Sequence, residues 1–361
     1  MKAIILGAIC AFVLCGILVA GLWPFCHPRN DVTWLGSRSG LRFRRPATVL
    51  TSGALAMPDS RGDSSCSIEM WVLPARIGDS ATLLAFSTPQ SPLQLSLRQS
   101  GSDLELQDHG KAQPHQSQAL FVGRVFRPEK RVLLTVTFGP QGTSTYADGA
   151  LIETSREFRL GRDECTGQLV IGDSAIEADS WSGDLWGLAI FNQELTAGQV
   201  SRHYATWVAT GRPEISEDER CVALYAFDER SGKTVHNLVG SGIDLDIPDR
   251  YLLLHQTFLK PAWEEFEPSW HYLEDVLTNI AGFVPLGFFF FAYFSSVRRI
   301  KRAALATILL GAGVSLTIEV LQAYLPTRFS GTTDLITNTS GTCLGVMMYR
   351  CKPVQALFAK L

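Results

Sequence analysis

Twenty-one consecutive residues, Ala3 to Trp23, carry no charged side chain, and this run constrains the chain more than any other feature. A helix rising about 1.5 Å per residue needs about 20 residues to cross the hydrocarbon of a bilayer, so the run predicts a membrane span. Lys2 is the only charge on its N-terminal side. The run exceeds the apolar centre of a cleaved signal, and "LVAG" around Ala20 is a poor small-x-small cleavage site. It therefore reads as an uncleaved anchor.

Three more apolar blocks crowd the other end: Val276 to Val297, Ala303 to Pro326, and a shorter one from Leu335 to Tyr349. Asp334 can sit at the interface of the last while Arg350 and Lys352 snorkel from its far end. Four spans are predicted: residues 1–24, then about 275–297, 303–326 and 334–350, with a connector at 256–274 and a tail at 351–361. Cytoplasmic loops hold the excess of Lys and Arg. The loop "RRIKR" at 298–302 then faces the cytoplasm, as do both termini, and residues 25–255 lie outside.

With 361 residues, 46% of them hydrophobic, the chain has room for a sizeable soluble domain beside these helices. Its net charge of -3 gives no sign of a nucleic-acid partner. Residues 25–255 show short alternating runs broken by Gly, Ser, Asp and Pro, the pattern of an all-β sandwich or barrel. "SIEMWVLP", "ATLLAFS", "LQLSLRQ", "VLLTVTF", "TSTYADGALIE" and "GQLVIGD" are the clearest strands, and Asp148-Gly149 has the composition of a tight hairpin turn.

Three segments, "SIEMWVLP" at 67–74, "VLLTVTFGPQGTSTYADGALI" at 132–152 and "WSGDLWGLAIFNQELTAGQVSRHY" at 181–204, resemble the laminin-G-like, concanavalin A-like jelly roll. A segment of the type that usually opens such domains, "ALYAFDERSGKTVHNLVGSGIDLDIP", lies near the end at 223–248, which points to permuted edge pairing. The resemblance implies binding of carbohydrate or protein, sometimes with calcium. Asp173, Asp179 and Asp184 are the candidate calcium ligands, although they lack the spacing of a calcium loop and read first as turn formers. No other cofactor is indicated. Trp181 and Trp186 could stack on sugar rings, but their spacing fits core packing better. The Arg-Gly-Asp tripeptide at 61–63 carries little weight. Of the eight cysteines, only Cys26, Cys66, Cys165 and Cys221 fall in the outer region, where disulfides form readily. Their pairing stays open, with Cys165 and Cys221 as a first guess.

The membrane part holds carboxylates that an inert anchor does not need. Asp275/Asn279 and Asp334/Asn338 are i,i+4 pairs and Glu319/Gln322 is i,i+3, so each helix presents its pair on one face. All fall in the outer half of their spans. An ionisable residue in a span costs about 2.5–3.5 kcal/mol by insertion scales, which drives these groups toward one another or toward water. A polar pocket is expected beneath the outer surface, with Arg328 as its nearest cation and His271 near its rim.

These residues also resemble the VanZ-like membrane family: "EDVLTNIAGFVPLGF" at 274–288, "SLTIEVLQ" at 315–322 and "TDLITNTSGTCLGVMMY" at 333–349 look like its three motifs. The family's first span corresponds to Ala3–Trp23, with the jelly roll inserted after it. The resemblance implies a bacterial cytoplasmic-membrane protein of the cell envelope, associated with low-level resistance to glycopeptide antibiotics. The leading reading is a binding protein: a jelly roll recognising a glycan or envelope protein, and a membrane pocket engaging a lipid-linked or polar group. The alternative is an intramembrane enzyme on a lipid head group with Glu319 or Asp334 as acid/base. A third reading confines the polar groups to hydrogen bonds that fix helix packing.

Overall fold

The computed structural model describes residues 2–36, 39–58, 64–109, 118–240, 242–256, 258–266, 268–326, 328 and 330–351. The Arg-Gly-Asp tripeptide and the tail beyond Cys351 lie outside the described residues. The chain divides into two compact units, Pro28–His255 and Met1–His27 with Gln256–Leu361.

The uncharged N-terminal run forms helix α1, Lys2–Leu22. The unit Pro28–His255 that follows is a β-sandwich. Its strands are β1 Val32–Trp34, β2 Leu41–Phe43, β3 Val49–Thr51, β4 Cys66–Pro74, β5 Ser80–Ser87, β6 Leu95–Ser100, β7 Asp103–Asp108 and β8 Gln118–Val122. They continue as β9 Val132–Gly139, β10 Gly142–Ala147, β11 Ala150–Ser155, β12 Gln168–Ile171, β13 Gly183–Phe191, β14 Cys221–Tyr225, β15 Thr234–Val235 and β16 Leu245–Asp246. Helix α2, Ala197–Thr210, sits between β13 and β14 in the chain. One antiparallel sheet runs β1-β2-β13-β4-β9-β10-β11, with β14 also paired to β13; the other runs β15-β16-β3-β12-β5-β6-β7-β8.

Alternation sorts the side chains: Ile68, Met70 and Val72 of β4 enter the core between the sheets with Leu134 and Val136 of β9 and Leu95 and Leu97 of β6. Each such side chain contributes about 1.5–3 kcal/mol relative to exposure. Asp148 and Gly149 have φ of 52° and 80°, the left-handed geometry that a tight β10–β11 hairpin requires. β14 and β16 pair with β13 and β3, so the late segment contributes a strand to each sheet.

The outer face of the first sheet is covered by α2. Thr196 and Gln199 form a capping box at its start, and Gly211 ends it at φ 75°. Val200, His203 and Trp207, at helical spacing, face inward. The guessed Cys165–Cys221 pair is not formed: Cys66 of β4 bonds Cys165 instead, and Cys221 and Cys26 are free. Cys66 and Cys165 both belong to the inter-sheet core, whereas Cys221 packs against the α2 layer.

In the other unit, a short helix α3, Ala262–Glu265, precedes α4, Trp270–Ala292, which continues through a π-helical turn, Tyr293–Val297. Helix α5 is Ala303–Gln322 and α6 is Thr332–Arg350. The segments Ala3–Leu22, Tyr272–Val297 and Ala303–Gln322 are long and apolar enough to cross a membrane. The expected fourth span, α6, has 19 residues but a more polar sequence, because its buried side is built from Thr337, Asn338, Gly341, Thr342 and Gly345. Small residues let it approach α4 closely: a Cβ on Gly341 or Gly345 would fall 2.2 Å from the carbonyl oxygen of Ile280 or Val284.

Candidate functional site

The carboxylates of the helical unit meet around the start of α6. Glu319 of α5, 1% exposed, accepts the backbone N–H of Gly331 at Oε2, 2.8 Å. Asp334, in the first turn of α6, accepts Asn279 Nδ2 of α4 at Oδ1, 2.7 Å. Glu265 of α3 accepts the Thr333 N–H at Oε2, 2.9 Å. Two carboxylates thus satisfy N–H donors that the start of a helix leaves without intrahelical partners, and all three lie where the helix dipole favours negative charge. Gly331 makes room for this, since a Cβ there would fall 1.7 Å from Glu265 Oε1.

Of the expected residues, Glu319, Asp334 and Asn279 converge, and Asp275, exposed on α4, lies within electrostatic range of Asp334 together with Glu265 and Arg328. Asn338 donates from Nδ2 to Ser315 Oγ of α5, 3.0 Å, one turn below both acids. Gln322 donates from Nε2 to the Gly21 carbonyl of α1, 2.8 Å. Arg328 is directed elsewhere than expected: its Nε and Nη2 both donate to the Trp23 carbonyl, the former at 2.9 Å, and not to a carboxylate. The side chain of His271 lies outside the described residues. Glu265 is the member that sequence reasoning missed. Its signal was an acid just ahead of a span, in a segment taken for a connector.

Asp173, Asp179 and Asp184 of the sandwich each have partners of their own. Asp173 is buried and accepts the N–H groups of Ser174 and Asp179 and the Ser180 hydroxyl; burial pushes its carboxyl up to about 7 against those bonds. Asp179 pairs with Arg98 at 2.6 Å and Asp184 with Arg42 at 2.7 Å. Among the described residues, no group of three or more His, Cys, Asp or Glu side chains is arranged to hold a metal. Trp181 lies in the inter-sheet core, its Nε1 donating to Gln99 Oε1 at 2.8 Å, and Trp186 is buried beneath the Arg131 guanidinium. Neither ring is presented for stacking on a sugar.

Two other polar arrangements escaped the sequence. Beneath α2, His203 lies 3.1 Å from Glu69 Oε1 through Nδ1 and 3.1 Å from Glu219 Oε2 through Nε2, all three fully buried. Burial opposes its charge, but bonds to Glu69 and Glu219 prevail and raise its pKa. On the outward face of the second sheet, Arg98, Glu105 and Phe121 stand side by side across β6, β7 and β8, next to Ser96, Gln107 and Ala119. This row is polar apart from Ala119 and the exposed Phe121.

Helices long and apolar enough to cross a membrane, joined to a two-sheet antiparallel sandwich, define a multi-pass membrane protein with a β-sandwich domain. Family profiles match the chain in two places: residues 50–201 match the concanavalin A-like lectin/glucanases superfamily, and residues 224–355 match VanZ/LLP1. The chain therefore joins a concanavalin A-like domain to a VanZ/LLP1 domain behind an N-terminal helix. The VanZ/LLP1 match begins inside β14, a strand of the sandwich.

Among solved structures, the chain is similar to a native heptameric SAP-like pentraxin from Limulus polyphemus, at 15% identity over 60% of this chain and 94% of that one, TM-score 0.37. It is also similar to a putative carbohydrate binding protein from Bacteroides ovatus, at 15% identity over 60% of this chain and 61% of that one, TM-score 0.40. A third is the binding domain of Paraclostridial Mosquitocidal Protein 1, at 10% identity over 50% and 47%, TM-score 0.37. The chain thus spans less than two thirds of the latter two. No curated protein matches it.

Proposed function

We propose that this is a noncatalytic envelope protein of the bacterial cytoplasmic membrane, in which the lectin-like sandwich binds a glycan or protein outside and the helical unit engages a lipid-linked or polar group. The observation that carries the reading is the convergence of Glu319, Asp334 and Asn279 on the start of α6. Helix packing alone does not need several carboxylates at one level, because each is costly in a membrane. Basic residues at 298–302 favour a cytoplasmic loop there, with four crossings and both termini inside. The Cys66–Cys165 disulfide supports an oxidising, extracytoplasmic side for the sandwich. Phe121, exposed on β8 beside the polar side chains of Glu105 and Gln107, offers a ring of the kind that stacks on a saccharide. A link to glycopeptide resistance is part of this proposal and follows from the family likeness.

Mass spectrometry of lipids and saccharides copurifying with the wild type and with Glu319→Ala tests it. Loss of one lipid class from the variant supports the pocket; identical profiles refute it. The enzyme reading is favoured by one observation, that Glu319 and Asp334 lie within electrostatic range of each other in a buried site. Glu319→Gln separates the two, since a binder keeps part of its function and a general base loses nearly all turnover.

A further inference from the structure

The site at the start of α6 is rich in acceptors and poor in donors. Glu265, Asp275 and Glu319 each lie within electrostatic range of Asp334. The nearest guanidinium, Arg328, spends two of its donors on the Trp23 carbonyl. The α6 start supplies two N–H groups and about half a positive charge, and Asn279 and the Ser330 hydroxyl add neutral donors to Asp334 and Glu319, so the charge of four carboxylates is not balanced.

A second observation is independent of the acids. Gln322, 7% exposed, lies on the same face of α5 as Glu319, and its Nε2 donates to Gly21 O. That bond requires a nitrogen there, so the amide cannot be flipped, and its Oε1 is left buried without a partner. Asn338, 5% exposed and one turn below Asp334 on the same face of α6, faces the Ser315 hydroxyl, which serves an amide in either orientation, so its other amide atom is buried and unpartnered without selecting a donor or an acceptor. The buried Gln322 carbonyl oxygen without a donor is costly and points to a missing hydrogen-bond donor. A phosphate supplies none and would add negative charge. A trimethylated amine brings charge without N–H groups. A primary ammonium brings charge and three donors together.

We propose that the acidic cluster of Glu265, Glu319 and Asp334 receives a protonated primary amine, with Gln322 Oε1 as a further acceptor. This rests on the reading that the pocket engages a polar group, and it names that group's chemistry. The amine can belong to a lipid head group or to a small soluble molecule.

The test uses the full chain in phosphatidylcholine nanodiscs. In one arm, native mass spectrometry follows retention of added phosphatidylethanolamine against phosphatidylglycerol. In the other, thermal unfolding follows protection by soluble ethanolamine against choline. Preferred retention of phosphatidylethanolamine supports a lipid source. Protection by ethanolamine alone supports a soluble one. Asp334→Asn should weaken either by about ten- to a hundredfold, the loss expected for one hydrogen bond to a charged group. The wild-type comparison of ethanolamine with choline, and of the two lipids, decides the matter even where the variant does not fold. Retention of phosphatidylglycerol that depends on Glu319 would overturn the amine and keep the pocket. Absence of any ligand dependent on Glu319 or Asp334 would overturn both.

Discussion

Asn279 of α4 gives its amide Nδ2 to Asp334 Oδ1 of α6 at 2.7 Å, tying together two helices that the loop between α4 and α5, α5 itself and a turn separate in the chain. Hydrogen bonds between membrane helices average about 0.6 kcal/mol and reach about 1.7, and a charged acceptor places this one toward the upper end. Asn279→Ala should lower the stability of the helical unit by about 1–2 kcal/mol. Asn279→Asp should cost more, because it sets a like charge against Asp334. Unfolding in mixed micelles measures both; equal stability of Asn279→Asp and the wild type would show that the contact bears no load.

Close approach of α4 and α6 rests on glycine. At Gly341 and Gly345 a side chain would meet the backbone carbonyls of Ile280 and Val284 at 2.2 Å, atoms that cannot move without moving α4. Gly345→Ala should therefore cost about 1–3 kcal/mol, as overpacking does, and displace Asn279 from Asp334. Gly313→Ala, where the space is open, should leave stability within about 0.5 kcal/mol. Parallel unfolding of the two variants checks the contrast.

What the sequence made legible was whatever burial writes at short range. The apolar runs became α1, α4 and α5, and alternation marked β4, β5, β6, β9 and β10. The i,i+4 spacing of Asp334 and Asn338 placed both on one face of α6. Glu265 stayed hidden because only the fold returns the segment before α4 to the start of α6. The direction of Arg328 depends on a carbonyl 305 residues away, and the partner of Cys165 lies 99 residues away. β1, β15 and β16, of two or three residues, are too short to show a period.

The disulfide closes a loop of 99 residues between Cys66 and Cys165. For a loop near that length the chain-entropy argument gives about 4.7 kcal/mol, and removal of native disulfides typically costs about 2–5. Cys66→Ala with Cys165→Ala should lower the sandwich's stability by an amount in that range, read from its thermal unfolding. Cys26→Ser should not. Nonreducing peptide mapping should recover the Cys66–Cys165 linkage and leave Cys221 alkylated only after unfolding, since its thiol is largely buried and its pKa is pushed up to about 12 by that burial.

His203 makes the sandwich's stability depend on pH. Its folded pKa is raised above the ordinary 6.5 because bonds to Glu69 and Glu219 outweigh burial, so its contribution is complete below 6.5 and is lost as pH rises through the folded value. For Glu219 burial is outweighed by the Ser216 N–H and His203, and its pKa falls below the ordinary 4.5; its contribution is present above 4.5 and lost as pH falls through the folded value. The cluster therefore stabilises most between about 4.5 and 6.5. Breaking a buried pair by removing one partner costs about 3–5 kcal/mol, so His203→Gln should destabilise by about that amount inside this window and by less at alkaline pH. Asp173, pushed up to about 7, also weakens the fold as pH rises. The difference between wild-type and His203→Gln unfolding curves removes that shared term, and a difference independent of pH would show that His203 is neutral in the folded protein.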